Sequence, residues 1–163
     1  MAKHLKEEIF TYRTANFLLL ILLIILYSCS ENTPTTNENE TPTEAVLQTT
    51  VIEISDGDTF GIYYKNQKWK VRVLYVDCFE TRKGDRLSDQ ARRAGISEDS
   101  ALALGFKAKD FAKQILLNKK VQLLRDFKEP NLDIYGRLLR ITIVDGMRYD
   151  SLLKVNGLAA PEK

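Results

Sequence analysis

Histidine is almost absent from this chain: the single one, His4, precedes the one long apolar run. Everything after that run therefore lacks imidazole. This excludes Ser-His-Asp hydrolysis, Cys-His proteolysis and histidine-based phosphoester chemistry, and it leaves zinc few ligands. Cysteine is nearly as scarce, with only Cys29 and Cys78. If Cys29 is modified, Cys78 is the last thiol and no intrachain disulfide can form. The apolar run is short as well. The run from Phe17 to Leu26 spans ten residues, against the roughly 20 that a helix needs to cross the hydrocarbon core. Chemistry in the remaining chain must run on carboxylates, guanidinium groups and any hard cation they attract.

What precedes the domain reads as an address. Lys3, Lys6 and Arg13, the short apolar core and a small residue at its end describe a secretory signal over residues 1–28. Its tail, Leu26-Tyr-Ser-Cys29, resembles a bacterial lipobox in which Cys29 is diacylated, although Tyr27 is a loose fit. The alternative is an uncleaved signal anchor. Either way the domain is expected outside the cytoplasm, lipid-anchored at the cell envelope or secreted. Residues 29–46 carry four acids, no base and no aromatic side chain. Such a segment cannot bury enough apolar surface to offset chain entropy and is expected to be a polar, disordered tether. Residues 47–163 carry 21 Lys/Arg against 16 Asp/Glu, a net of +5. That suits a polyanionic partner but equally a solvated lysine face.

From Leu47 the pattern is one of short strands. Leu47–Ile54 ends in the turn-rich Ser55-Asp-Gly-Asp58, and Thr59–Tyr64 with Trp69–Val76 reads as a hairpin across Lys65-Asn-Gln67. Alternation in the second of these turns Arg72 away from Val71 and Val73. A short helix is expected from Ser88 to Gly95. A longer one runs from Glu98 to about Asn118, with Leu104, Ala108, Phe111, Ala112 and Ile115 at helical spacing and Gly105 as a weak point. Val121–Phe127 and Leu138–Val144 read as strands, Asp145-Gly146 as a turn, and Asp150–Asn156 as a last helix closed by Gly157. The count suits an α+β fold, a five-stranded barrel with helices attached.

Five charged residues stand out: Asp58, Arg72, Asp77, Glu80 and Arg137. Two carboxylates brought side by side, Asp58 and Asp77, repel unless a cation joins them. With oxygen ligands alone that cation is hard, calcium first and then magnesium. Arg72 and Arg137 offer donors that fork around phosphate oxygens, and Glu80 is free to polarise a water. A cation, two guanidinium groups and a carboxylate base make a phosphoryl-transfer site. Singly each piece is weak, since Asp-Gly-Asp-Thr is commonly a turn and an arginine on a strand commonly a solvated one.

Together they carry a resemblance. Residues 51–160 resemble the staphylococcal nuclease family through Asp56-Gly-Asp-Thr59, Val71-Arg-Val-Leu-Tyr-Val-Asp77, Cys78-Phe-Glu80, Asp133-Ile-Tyr-Gly-Arg137 and Asn156-Gly-Leu-Ala159. The resemblance implies a five-stranded OB-fold barrel and calcium-dependent hydrolysis of DNA and RNA by a monomer. Asp58, Asp77 and the Cys78 main-chain carbonyl would then hold Ca2+. Glu80 would activate water, Arg72 and Arg137 would stabilise the transition state, and Tyr135 would contact a substrate phosphate.

Three departures accompany it. Phe79 stands where the family has proline, so the loop presenting Glu80 loses a fixed φ. The stretch after Glu80 is long and basic, with Arg82, Lys83, Arg86, Arg92 and Arg93, and is either a substrate-contacting flap or a solvated insertion. The family's tyrosine after Gly-Leu-Ala and its last helix do not occur before Lys163, which is expected to loosen nucleotide binding without touching the metal site. The rival reading is a non-catalytic OB-fold module that binds nucleic acid or protein.

Overall fold

The strand expected from Leu47 is β1, Val46–Ile54. In the computed structural model, which describes residues 41–161, this strand serves two partners. Its first half, Val46–Thr50, pairs antiparallel with β4, Lys120–Leu124; its second half pairs antiparallel with β2, Thr59–Tyr64. The register shifts between Val51 and Glu53, where a bulge bends the strand from one side of the barrel to the other. β2 continues into β3, Gln67–Val73, through Lys65 and Asn66, both at positive φ. That is a two-residue turn of the kind whose twist matches a hairpin, so β3 starts earlier than Trp69.

β3 also ends earlier than expected, at Val73, because Tyr75 turns the chain at φ 63°. Asp77 therefore lies on a loop and not on the strand. β5, Leu138–Val144, pairs antiparallel with β4 and parallel with β3 over Val71–Val73, which closes five strands into a mixed OB-fold-like barrel. β6, Met147–Arg148, adds a short hairpin to β5. Strand alternation accounts for the core: Val51, Phe60, Ile62, Val71, Val73, Val121, Leu123, Leu138 and Val144 are buried inside it.

Three helices surround the barrel: α1 (Asp85–Ala94), α2 (Glu98–Leu116) and α3 (Tyr149–Val155). α1 starts three residues before the expected cap at Ser88; Ser88 instead donates to the Gly84 carbonyl from inside the first turn. α2 is capped by Ser97, whose side chain accepts from the Ser100 amide at 3.1 Å. Its buried stripe is Ala101, Gly105, Ala108, Ala112 and Leu116, so small residues line the contact face while Leu104, Phe111 and Ile115 are only half-buried. Small side chains let the helix axis approach the barrel closely, and the space is used by loops of the site. Among the described residues no helix is long and apolar enough to cross a membrane.

The expected tether enters the description at residue 41. Pro42 is buried and its carbonyl accepts from Arg140 Nη2 at 2.8 Å and from Asn131 Nδ2 at 3.1 Å, while the Ala45 carbonyl accepts from the Arg125 amide. The last residues of that polar stretch are thus docked on the barrel, and Val46 is already strand. Arg140 is fully buried there, on main-chain carbonyls and the Asn131 amide oxygen. The signal segment and Cys29 lie outside the described residues.

Candidate active site

Asp58 comes to its place through a glycine. A Cβ on Gly57 would sit 2.6 Å from Ala108 Cβ and 2.8 Å from Cys78 Sγ. Only glycine lets the Asp56–Asp58 turn wedge between α2 and Cys78. The Gly57 carbonyl accepts from the buried Tyr149 hydroxyl at 2.9 Å, and the Asp58 carbonyl accepts from the Val73 amide at 2.9 Å. Asp58 is left 1% exposed at the start of β2. Register then sets its partner, because Thr59 lies opposite Arg72 on β3.

Arg72 bridges the two carboxylates. Nη1 bonds Asp58 Oδ1, and Nη2 bonds Asp77 Oδ1 at 2.6 Å. The other oxygen of Asp58 accepts from the Cys78 amide at 2.6 Å. The chain of contacts runs on in both directions. Thr59 Oγ1 donates to Asp58 at 3.2 Å and accepts from Arg137 Nη1 at 3.3 Å. Arg137 Nε is held by Asp133 at 2.6 Å, and its guanidinium lies 5.4 Å from the centre of the exposed Tyr135 ring. On the far side Arg86 bonds Asp77 Oδ1 through Nη2 and Glu80 Oε1 through Nε, each at 2.8 Å.

One cavity of about 190 Å³ collects these groups. Asp58, Arg72, Cys78, Glu80, Tyr135 and Arg137 line it, together with Asp56, Phe79 and Arg86. Every expected site residue after Cys29 is therefore on the wall or, for Asp77, one bond behind it. Sequence reasoning placed Arg86 only within a basic stretch read as a substrate-contacting flap or a solvated insertion, and it assigned no role to Gln90. Gln90 is fully buried on α1; it donates to the Cys78 carbonyl at 2.9 Å and to Asp77 Oδ2 at 3.1 Å and accepts from the Glu80 amide at 2.9 Å. The available signal was Leu87, Gln90 and Ala91, an apolar stripe with one neutral polar residue in it. The basic stretch after Glu80 is thus a folded helix that supports the site.

The loop carrying Glu80 is fixed without proline. Phe79 is buried with Leu87, Ala91, Ala101 and Ala160 in a small second core. The Ala160 amide donates to the Asp77 carbonyl at 2.7 Å, and Cys78 bridges Ala159. Gly105 completes the seat, because a Cβ there would come within 2.7 Å of the Phe79 carbonyl oxygen and closer still to that of Glu80. The glycine that weakens α2 by propensity is the one that lets this loop lie against the helix.

Burial pushes the Asp58 carboxyl up to about 7; Arg72 opposes the rise and neighbouring Asp56 adds to it. Burial works on Asp77 in the same sense, but Arg72, then Arg86 and Gln90, outweigh it and hold Asp77 below the usual carboxylate range. Arg72 is held charged by Asp58 and Asp77 despite its burial. The unmet demand for positive charge in this trio therefore rests on Asp58. Burial also pushes the Cys78 thiol up, so its sulfur is no nucleophile.

Formal charge sharpens this. Asp56, Asp58, Asp77, Glu80 and Asp133 face Arg72, Arg86 and Arg137, five carboxylates against three guanidinium groups. A phosphodiester entering such a site would meet an excess of negative charge, and oxygen donors of this kind are ones that a hard cation favours. Among the described residues no three His, Cys, Asp or Glu side chains converge as a metal cluster. Asp58 and Asp77 are the paired carboxylates that could hold a cation, and in this structure the Arg72 guanidinium spans them.

The fold and site together define a class: an OB-fold-like barrel with a carboxylate–guanidinium cavity at its rim. Comparison with known proteins narrows it, although no family model matches the chain. It is 32% identical over 114 residues to a protein of Bacillus subtilis named Endonuclease YncB, covering 70% of this chain and 47% of that one. An uncharacterized protein of Methanocaldococcus jannaschii is 33% identical over 98 residues, 58% of this chain and 47% of the relative. An uncharacterized protein of Bacillus anthracis, pXO1-141, is 31% identical over 107 residues, 66% of this chain and 44% of the relative. The chain spans about half the length of the curated relatives it matches.

Proposed function

We propose that this chain is a nuclease of the staphylococcal nuclease family, hydrolysing phosphodiester bonds of DNA and RNA with calcium and little sequence preference. The reading rests above all on the unbroken chain of contacts from Arg137 through Thr59, Asp58, Arg72, Asp77 and Arg86 to Glu80 at one cavity. The likeness to a protein named as an endonuclease supports the reaction class. We further propose a monomer held at the cell envelope by lipid on Cys29.

In this mechanism Asp58, Asp77 and the Cys78 carbonyl would hold calcium, which would supply positive charge opposite a phosphate and make nearby water more acidic. Glu80 takes the proton of the attacking water. Arg72 and Arg137 donate to the phosphoryl oxygens as charge develops on them. Asp133 fixes Arg137 through Nε, leaving its terminal nitrogens for Thr59 and substrate. Tyr135, exposed beside Arg137, contacts a flanking phosphate.

A second reading, a non-catalytic binding module on the same barrel, draws on one observation: Arg72 already pairs with both Asp58 and Asp77. Incubating the full chain with plasmid DNA and with RNA separates the two. The nuclease is expected to cleave in calcium and not in chelator, whereas binding without cleavage in either condition leaves the module. Mass spectrometry of the membrane-bound protein is expected to find diacylated Cys29, and an unmodified Cys29 rules the anchor out. Sedimentation of the purified chain checks the monomer.

A further inference from the structure

We propose that Arg86, on the first turn of α1, is a cation-gated phosphate clamp: it ties Asp77 and Glu80 in the free protein and passes to the nucleic-acid backbone once a divalent cation sits at Asp58 and Asp77. The inference rests on the nuclease reading and names a further substrate-binding residue for it. Arg86 spans both carboxylates with separate nitrogens, Nη2 to Asp77 and Nε to Glu80. It also lines the cavity, and its side chain is half exposed, against 15% for Arg72. Arg72 pairs with both Asp58 and Asp77, so Arg86 is the more exposed guanidinium on this wall and the one with room to move.

Its two partners do not need it equally. Asp77 keeps Arg72 and Gln90 if Arg86 leaves. A divalent cation at Asp58 and Asp77 repels both guanidinium groups, and Arg86, half exposed and not bonded to Asp58, is the one that leaves. Glu80 is released by the same movement, and a proton acceptor must be free of its ion pair to work on water. A phosphodiester at the cavity mouth offers Arg86 the fork geometry it loses. One swing thus frees the base and adds a phosphate contact.

The test measures binding of a short single-stranded phosphorothioate oligonucleotide to the full chain in detergent, across a range of salt concentrations. In calcium, Arg86→Gln is expected to weaken binding by roughly tenfold or more. It should also flatten the plot of log affinity against log salt by about 0.7, the share of one phosphate contact on a single strand. In chelator the same substitution is expected to leave the slope unchanged, because Arg86 is then engaged by Asp77 and Glu80. Arg86→Lys, which retains the charge, is expected to recover the slope. An unchanged slope in calcium, or an equal change in calcium and chelator, overturns the clamp. If the unaltered chain cleaves in calcium, that result leaves the nuclease reading standing; if it neither cleaves nor binds, both readings fall.

Discussion

The two walls of the cavity are built differently. On the strand wall, Thr59 and Arg72 sit on β2 and β3 with Asp58 directly before β2, and the backbone ladder fixes them: Thr59 faces Arg72 in register, and the Val73 amide holds the Asp58 carbonyl. On the loop wall, Asp77 to Glu80 has no strand pairing beyond the single bridge from Cys78 to Ala159. It is held by what covers it: Phe79 in its own small core, Gln90 from α1, and the bare backbone of Gly105. A ladder leaves little freedom to exchange residues, whereas a packed loop can be supported in more than one way. That is why a buried phenylalanine can hold this loop and why α1 can lend the site another guanidinium.

The contrast can be broken most forcefully at the strand wall. Arg72→Lys keeps one charge but cannot bridge Asp58 and Asp77 with two nitrogens, so turnover is expected to fall by about three orders of magnitude. The melting temperature should fall with it, because the buried Asp58 loses its partner. Steady-state kinetics with a thermal scan checks this, and near-normal turnover would move the catalytic weight off the strand wall. Glu80→Gln probes the loop wall and is expected to cut turnover by at least about a hundredfold. Stability should change by less than about 1 kcal/mol, since the Glu80–Arg86 pair faces solvent. Both quantities come from one preparation; a loss of stability with normal turnover per folded molecule would make Glu80 a brace for the loop.

The smallest effect sharpens the comparison. Gly105→Ala should gain about 1 kcal/mol from helix propensity, yet the added methyl group meets the Phe79 and Glu80 carbonyls. A net loss of about 1–2 kcal/mol is expected, the lower range for forcing a methyl group into a packed site. Turnover should fall several-fold while Arg72 and Asp58 stay in place. Chemical denaturation and kinetics on the same protein measure it, and a gain in stability with unchanged turnover would show the loop wall to be slack.

Much of this was legible in the sequence because it is local. Asp58, Arg72, Asp77 and Glu80 lie on two strands and one short loop, where alternation and spacing carry the geometry. The barrel was legible from its short strands, while the end of β3 was not, since Leu74 and Val76 continue the apolar alternation through the turn at Tyr75. Gly105 read as a flaw in α2 because its reason lies in a loop 25 residues away. The bonds of Arg86 to the site and the part played by Gln90 were hidden for a related cause. A polar, basic helix looks solvated until the tertiary fold turns one face of it onto the loop before it. The expected stripe of α2 held Ala108 and Ala112, which are buried, but completed it with Leu104, Phe111 and Ile115, where close packing selected Ala101, Gly105 and Leu116.

The parallel pairing of β3 with β5 joins Val71–Val73 to Leu138–Arg140, strands separated by most of the domain. Loop closure on that scale is entropically costly, so such contacts form slowly and not before the chain between them is ordered. Arg72 lies in this seam and Arg137 directly precedes it, so the two guanidinium groups have no common site until the barrel is shut. A chain opened by heat carries every one of these side chains and no assembled site. The seam makes competence a late event in the life of the molecule, coincident with completion of its fold.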